Sequence, residues 1–338
     1  MTTSEATPRF ARREMEVVAA ISIVLVCAFY VWRAPVNADA EMIDHGLFRI
    51  TVQSMREGGG YYPSYDAALD LVYGPSRAGV TETIRGFRMP TTFLVWRLLP
   101  NDQAVWWLFV VVSGLAGIAA SRLSTRPVLG VLVVVFLLSI GMLVDGGRWT
   151  AQFMTTELWA VPPLFGALLM ARRERWWLAA GLVLLAVLVR ELAAPILVVG
   201  VGLALLGRVP RAPWFTAFGI AVSVYALHVV LATPYIDPNV VQNPLVDDVD
   251  LPRTIIEMMG FGLPAGVVVG PVLWALAVWH TVGQRWWLEA SLLALPLVGV
   301  IIDRQYWGIL VVPFVTVWGL ECFFDVITTQ RRLIAARR

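Results

Sequence analysis

The residues able to do chemistry gather in a few places along this chain. One long polar stretch, Asn37 to Pro100, holds Asp39, Glu41, Asp44, Glu57, Asp66, Asp70 and Glu82 together with Arg49, Arg56, Arg85 and Arg88. Farther on come Arg148, Glu157, the adjacent pair Arg190-Glu191, and Asp303-Arg304. A positioned carboxylate takes a proton from a hydroxyl. An arginine offers phosphate a planar fork that stays charged. The combination suits an anionic substrate and a general base. Asp44 is the first candidate base, Asp39 the second and Glu82 the third.

Simpler readings stand beside each of these. If 41–57 is a helix, Asp44 lies in its first turn, where a carboxylate is stabilised by the helix dipole. Arg190-Glu191 reads equally as an internal ion pair at a helix break, although charges at membrane depth are costly without a task. Glu157 and Asp303-Arg304 also read as plain span boundaries. His45, His228 and His280 are too widely spaced for a metal-ligand pattern. Cys27 and Cys322 sit in apolar runs and read as small buried hydrophobes. No glycine-rich phosphate loop and no Gly-x-Ser-x-Gly motif occurs, and the residues call for no divalent metal and no certain cofactor.

The elements that must hold these groups are apolar. The chain has 338 residues, 58% of them hydrophobic and 15% charged, with mean hydropathy +0.72. A soluble domain of this size would carry a more polar surface. Apolar runs of about 18–20 residues match a ~30 Å hydrocarbon core. The expected fold is all-α, a polytopic helical membrane bundle of about ten transmembrane helices with amphipathic helices in the first outer loop. Net charge is +2, every cation is arginine, and no basic patch interleaved with aromatics points to nucleic acid.

In order, the expected spans cover 17–32, 103–120, 127–144, 157–171, 176–189, 192–206, 214–232, 263–278, 287–302 and 307–324. Arg88 to Leu99 reads as a short interfacial helix. The apolar run through Arg190-Glu191 reads as two short helices meeting at that pair. Ala38-Asp39-Ala40 superficially resembles a signal-peptidase site, but an uncleaved first span is the better reading. With a cytoplasmic N-terminus, the basic segments RFARR, SRLSTR, ARRER, RVPR, GQR and RRLIAARR all fall on one side, as the positive-inside rule asks. The acidic loops, Arg190-Glu191 and Asp303-Arg304 then fall outside. The chain reads as one transmembrane domain over 1–338. Its cytoplasmic tails are 1–16 and 326–338, and its extracytoplasmic loops are 34–102 and 233–262. Both termini are cytoplasmic in a multi-pass plasma-membrane protein.

One family resemblance covers most of the chain. A first span followed by an outer loop with Asp44, Phe48, Gly58–Gly60 and Tyr61-Tyr62 resembles the GT-C superfamily of membrane glycosyltransferases. RGFRMPTTFLVWRLLP (85–100) is similar to the interfacial helix before the second span in many members. Residues 155–191 resemble the family's middle region, where an acid opens one span and an Arg-Glu pair ends the next. DRQYWGILVVPFVTVWGLE (303–321) resembles the closing span. The chain departs from the pattern in being short, in lacking a C-terminal soluble domain and in having no lysine, and the first-loop acid could be Asp39 rather than Asp44.

The resemblance implies a polyprenyl-phosphate-linked sugar donor, with mannose or arabinose as candidate sugars. It implies a lipid, glycan or protein acceptor, an active site on the outer face and an inverting displacement. Asp44 or Asp39 would be the base. Arg88, Arg148, Glu157, Arg190, Glu191, Asp303 and Arg304 would line the substrate site, with Arg190 and Arg304 meeting the phosphate. Membrane lipids are the other partners; the sequence leaves the oligomeric state open. Two other readings stay open. One is a transporter or flippase of an anionic lipid-linked sugar, which predicts charges on both sides of the midplane. The other is a non-catalytic GT-C-like membrane subunit.

Overall fold

The structure, a computed structural model, describes residues 6–32, 40–41, 43–74, 87–145, 148–236, 266–284, 286–302 and 306–336. Asp39, Glu82, Asp303 and Arg304 lie outside the described residues. The fold is dominated by helices. They are α1 (Ala6–Trp32), α2 (Ile43–Arg56), α3 (Tyr61–Tyr73), α4 (Thr91–Arg97), α5 (Asp102–Leu123), α6 (Leu129–Gly141), α7 (Thr156–Arg172), α8 (Trp176–Val189), α9 (Ala194–Leu205), α10 (Arg211–Ala232), α11 (Gly266–Gly283), α12 (Trp287–Ile302) and α13 (Tyr306–Ala336).

Among the described residues, four helical stretches are long and apolar enough to cross a membrane: Arg12–Trp32, Asp102–Leu123, Arg211–Tyr235 and Leu310–Ala335. On two of them the apolar face is open. Val18, Val24 and Leu25 on α1 are more than 60% exposed, as is Val230 on α10. Such faces need a hydrocarbon solvent, since a soluble monomer rarely exposes contiguous apolar area on this scale. Membrane association follows from these helices. The helices α6, α8 and α9 are apolar but shorter.

Three short strands add to the helices: β1 (Ala40–Glu41), β2 (Met142–Asp145) and β3 (Arg148–Ala151). β3 is central, parallel to β1 with Ala40 opposite Thr150, and antiparallel to β2 with Leu143 opposite Thr150. The apolar run expected to span through Val144 therefore leaves its helix at Gly141. Gly141 suits this exit, because a Cβ there would meet the Phe109 ring at 2.9 Å and the Trp106 ring at 3.2 Å. At the other end of the chain, α13 continues beyond Phe324 through the arginine-rich tail to Ala336. Arginine is a good helix former, so its charge alone does not end a helix.

The chain packs as two compact units. One comprises residues 27–113 and 137–247, the other 1–26, 114–136 and 248–338. In the first, α7 and α8 pack where Gly166 faces Leu182, and α9 lets the Trp214 ring of α10 rest against Gly200. In the second, α11 and α13 approach closely at Gly319, whose absent Cβ leaves only 2.5 Å to the Leu273 carbonyl. The Trp274 indole donates to the Leu293 carbonyl of α12 at 2.8 Å.

Candidate functional site

The site lies within the unit of residues 27–113 and 137–247. Its floor is an aromatic cluster from α2, α3 and α4. Phe48 meets Phe93 edge-on at 5.2 Å, Phe93 meets Trp96 at 5.3 Å, and Trp96 meets Trp159 of α7 at 5.5 Å. Tyr65 lies 5.4 Å from Phe87 and 5.7 Å from Phe93. Edge-to-face pairs of this kind stabilise beyond their buried area, by about 0.5–1.5 kcal/mol each. Thr92, Phe93 and Trp96 turn inward while Leu94, Val95 and Leu98 stay exposed. The inward face of the short α4 thus joins the aromatic cluster, while its outward face is also apolar at Leu94 and Val95.

The Gly58–Gly60 turn places α3 against α2. Gly58 takes φ +107°, a conformation L side chains rarely adopt. A Cβ on Gly59 would stand 2.5 Å from Ser64 Oγ and 3.0 Å from the Ser54 carbonyl. That closeness lets Ser54 and Ser64 share a hydrogen bond of 2.9 Å across the two helices. Arg56, at the end of α2, ties the pair to α5 through Asp102 at 2.8 Å.

Above this floor a charged cluster forms around the break between α8 and α9. Arg190 ends α8 in extended backbone (φ −148°, ψ 112°), and Glu191–Ala193 form one 3-10 turn before α9. The two short helices meet at the charged pair. Arg190 is fully buried. Its Nη2 lies 2.7 Å from Glu157 Oε1, and its Nη1 donates to Glu191 Oε1 at 2.7 Å. Glu157, in the first turn of α7, is 1% exposed. Isolated charges at such depth are prohibitively costly, so each of these groups depends on the others.

Arg88 approaches the same Glu191 oxygen at 3.6 Å from the segment before α4, and its side chain is 16% exposed. Tyr61, buried at the start of α3, donates its hydroxyl to the Arg88 carbonyl at 2.5 Å. Burial opposes the Arg88 charge, but Glu191 and Glu157 outweigh it and hold the guanidinium more firmly protonated than usual. Asp44 also contributes to that field. Asp44 lies in the first turn of α2 and accepts a hydrogen bond from the Tyr73 hydroxyl at the end of α3. Burial, and next the nearby Asp44 charge, push the Tyr73 phenol above its ordinary range. Burial does the same to Tyr65, which feels Arg88, Asp44, Tyr73 and Arg190 together.

Five of the residues singled out from the sequence thus share one neighbourhood: Asp44, Arg88, Glu157, Arg190 and Glu191. Arg148 lies in β3 opposite Asp145, and its side chain is outside the described residues. Tyr61 of the loop motif joins the cluster, as do three residues the sequence did not place in the site: Tyr65, Tyr73 and His228. His228, on α10, carries the field of Glu191. Its Nε2 faces the Phe87 carbonyl at 3.3 Å and its Nδ1 faces the Tyr62 hydroxyl at 3.0 Å. A carbonyl only accepts, so Nε2 carries the proton and Tyr62 donates to Nδ1 in the neutral imidazole. Within an apolar stretch a lone histidine gives no signal of this role.

Arg190 is enclosed between two carboxylates, which suits it to positioning them. Arg88 is the more accessible cation. Among the described residues, no three His, Cys, Asp or Glu side chains group as a metal site. The chain matches no family model, no curated protein and no solved structure.

Proposed function

We propose that this chain is an integral-membrane glycosyltransferase of GT-C type. It transfers a sugar from a polyprenyl-phosphate donor to a hydroxyl acceptor on the outer face of the plasma membrane. The observation that carries the reading is the convergence of Asp44, Arg88, Glu157, Arg190 and Glu191, spread from position 44 to position 191, into one cluster. The cluster offers a carboxylate and an accessible guanidinium over an aromatic floor. That is the equipment an acid–base group transfer between a phosphate and a hydroxyl needs.

In this reading Asp44 takes the proton of the acceptor hydroxyl. The hydroxyl oxygen attacks the anomeric carbon from the face opposite the phosphate. The carbon–oxygen bond to the lipid phosphate breaks, its electron pair leaves with the phosphate, and the anomeric configuration inverts. Tyr73 orients the Asp44 carboxylate through its hydrogen bond. Arg88 neutralises the departing phosphate, and Arg190 fixes Glu157 and Glu191 around it. The same reading keeps the topology of about ten spans with both termini cytoplasmic, which the one-sided arginines support.

The test is an assay of membranes containing the protein with a panel of radiolabelled polyprenyl-phosphate sugars. Label moving from lipid phosphate to an acceptor supports the reading. Label carried across the bilayer with the donor intact supports a transporter instead.

A further inference from the structure

The unit of residues 1–26, 114–136 and 248–338 has a cavity of its own. Its volume is about 340 Å³, and its lining comes from α1 and α5: Arg13, Glu16, Val17, Ala20 and Ile23 on one side, Ile118, Ser121 and Arg122 on the other. That volume falls within the range of small-ligand sites. On α1 the lining residues recur at helical spacing, so they form one face.

The cavity is apolar at one end and cationic at the other. Ile23 lies at the closed end, where its Cδ1 stands 3.2 Å from the place a Gly117 Cβ would occupy. There α5 and α6 are in close contact through Gly117, Gly130 and Val134. Arg13 lies ten residues before Ile23, about 15 Å along the helix at 1.5 Å per residue. Arg122 lies one helical turn beyond Ile118. Both arginines are exposed, and among the described residues neither has a hydrogen bond or ion pair. The neighbouring Glu16 pairs instead with Arg12, at 3.2 Å. Arg13 and Arg122 therefore present two uncommitted guanidinium groups at the mouth of an apolar slot on membrane-length helices.

We propose that this cavity binds one anionic phospholipid, with the acyl chain along Val17, Ala20, Ile23 and Ile118 and the phosphodiester between Arg13 and Arg122. Basic pockets between transmembrane helices hold anionic headgroups in this way. The guanidinium groups supply charge and donors to the phosphate oxygens. A zwitterionic lipid offers the same phosphate with its charge cancelled, so it binds more weakly.

The experiment is native mass spectrometry of the full-length protein, released from neutral detergent with phosphatidylglycerol, phosphatidylcholine or glycerol phosphate added. The expected result is retention of one phosphatidylglycerol, about tenfold or more in preference to phosphatidylcholine, given about fivefold per arginine. Arg13→Gln and Arg122→Gln should each reduce retention about fivefold. Ala20→Trp, which fills the slot and leaves both charges, should abolish it. Equal retention of the two lipids overturns the proposal, as does full phosphatidylglycerol binding to the Ala20→Trp variant. Glycerol phosphate held as tightly as the lipid would reduce the site to a simple anion patch and overturn it too.

Discussion

Arg88 Nη1 stands 3.6 Å from Glu191 Oε1, while Arg190 Nη1 holds the same oxygen at 2.7 Å. One carboxylate oxygen thus serves two arginines unequally. The tighter contact belongs to the fully buried arginine, the looser one to the arginine with solvent access. Arg190 cannot leave without depriving buried Glu157 of its 2.7 Å partner.

The first prediction follows from that difference. Arg88→Gln should raise the donor KM at least about tenfold, since a hydrogen bond to a charged group is worth ~1.5–3 kcal/mol. Arg88→Lys should recover only part of it, because the fork is lost. Steady-state kinetics with the lipid-linked donor checks this. A KM unchanged in Arg88→Gln would remove Arg88 from the phosphate site.

The buried pair behaves differently. Glu157→Gln should cost ~3–5 kcal/mol of stability, because it leaves the Arg190 charge buried with one carboxylate fewer. The double change Glu157→Leu with Arg190→Met should recover much of that loss, since apolar replacements of a buried pair are often neutral. Thermal unfolding in detergent reads both. A double variant no more stable than the single would mean the pair organises the helix break itself.

The polar loop can be tested for sidedness. Leu71 is 71% exposed and Ser64 is buried, so Leu71 is the position to label. Leu71→Cys should react with an impermeant maleimide in intact cells, and Arg208→Cys, in the basic RVPR segment, should be protected. The reverse pattern would invert the topology.

Much of this arrangement was legible in the sequence. Arg190-Glu191 announced a helix break because two charges interrupt an apolar run. Gly58–Gly60 announced a turn because glycine tolerates the positive φ that Gly58 adopts. The strands were not legible: β1 pairs with a segment some hundred residues away, and no local pattern records that. Tyr65, Tyr73 and His228 were missed for a related reason. Aromatic residues on amphipathic helices look like core until the charges beside them are placed.

Alkaline titration offers a check on the aromatic floor. The ordinary tyrosine value is 10.0, and burial, joined by smaller effects of neighbouring charges, raises Tyr61 and Tyr65 above it. Below pH 10 both the folded and unfolded states hold these protons, so their contribution to stability is intact. Above pH 10 the unfolded chain releases them first, binds fewer protons and gains, so stability falls as pH rises. Absorbance at phenolate wavelengths should show tyrosines silent in the folded protein at pH 11 and ionising on unfolding. Complete ionisation in the folded protein would contradict this burial.

Single-turnover transfer by the Asp44→Asn protein, with a polyprenyl-phosphate sugar that the native protein uses, tests the proposed base most directly. The substitution keeps the shape and the Tyr73 contact but removes the base. The expected rate is at least about 10²-fold lower, as loss of a positioned general base entails, with donor affinity nearly unchanged. Native-like transfer by a folded Asp44→Asn protein would contradict it.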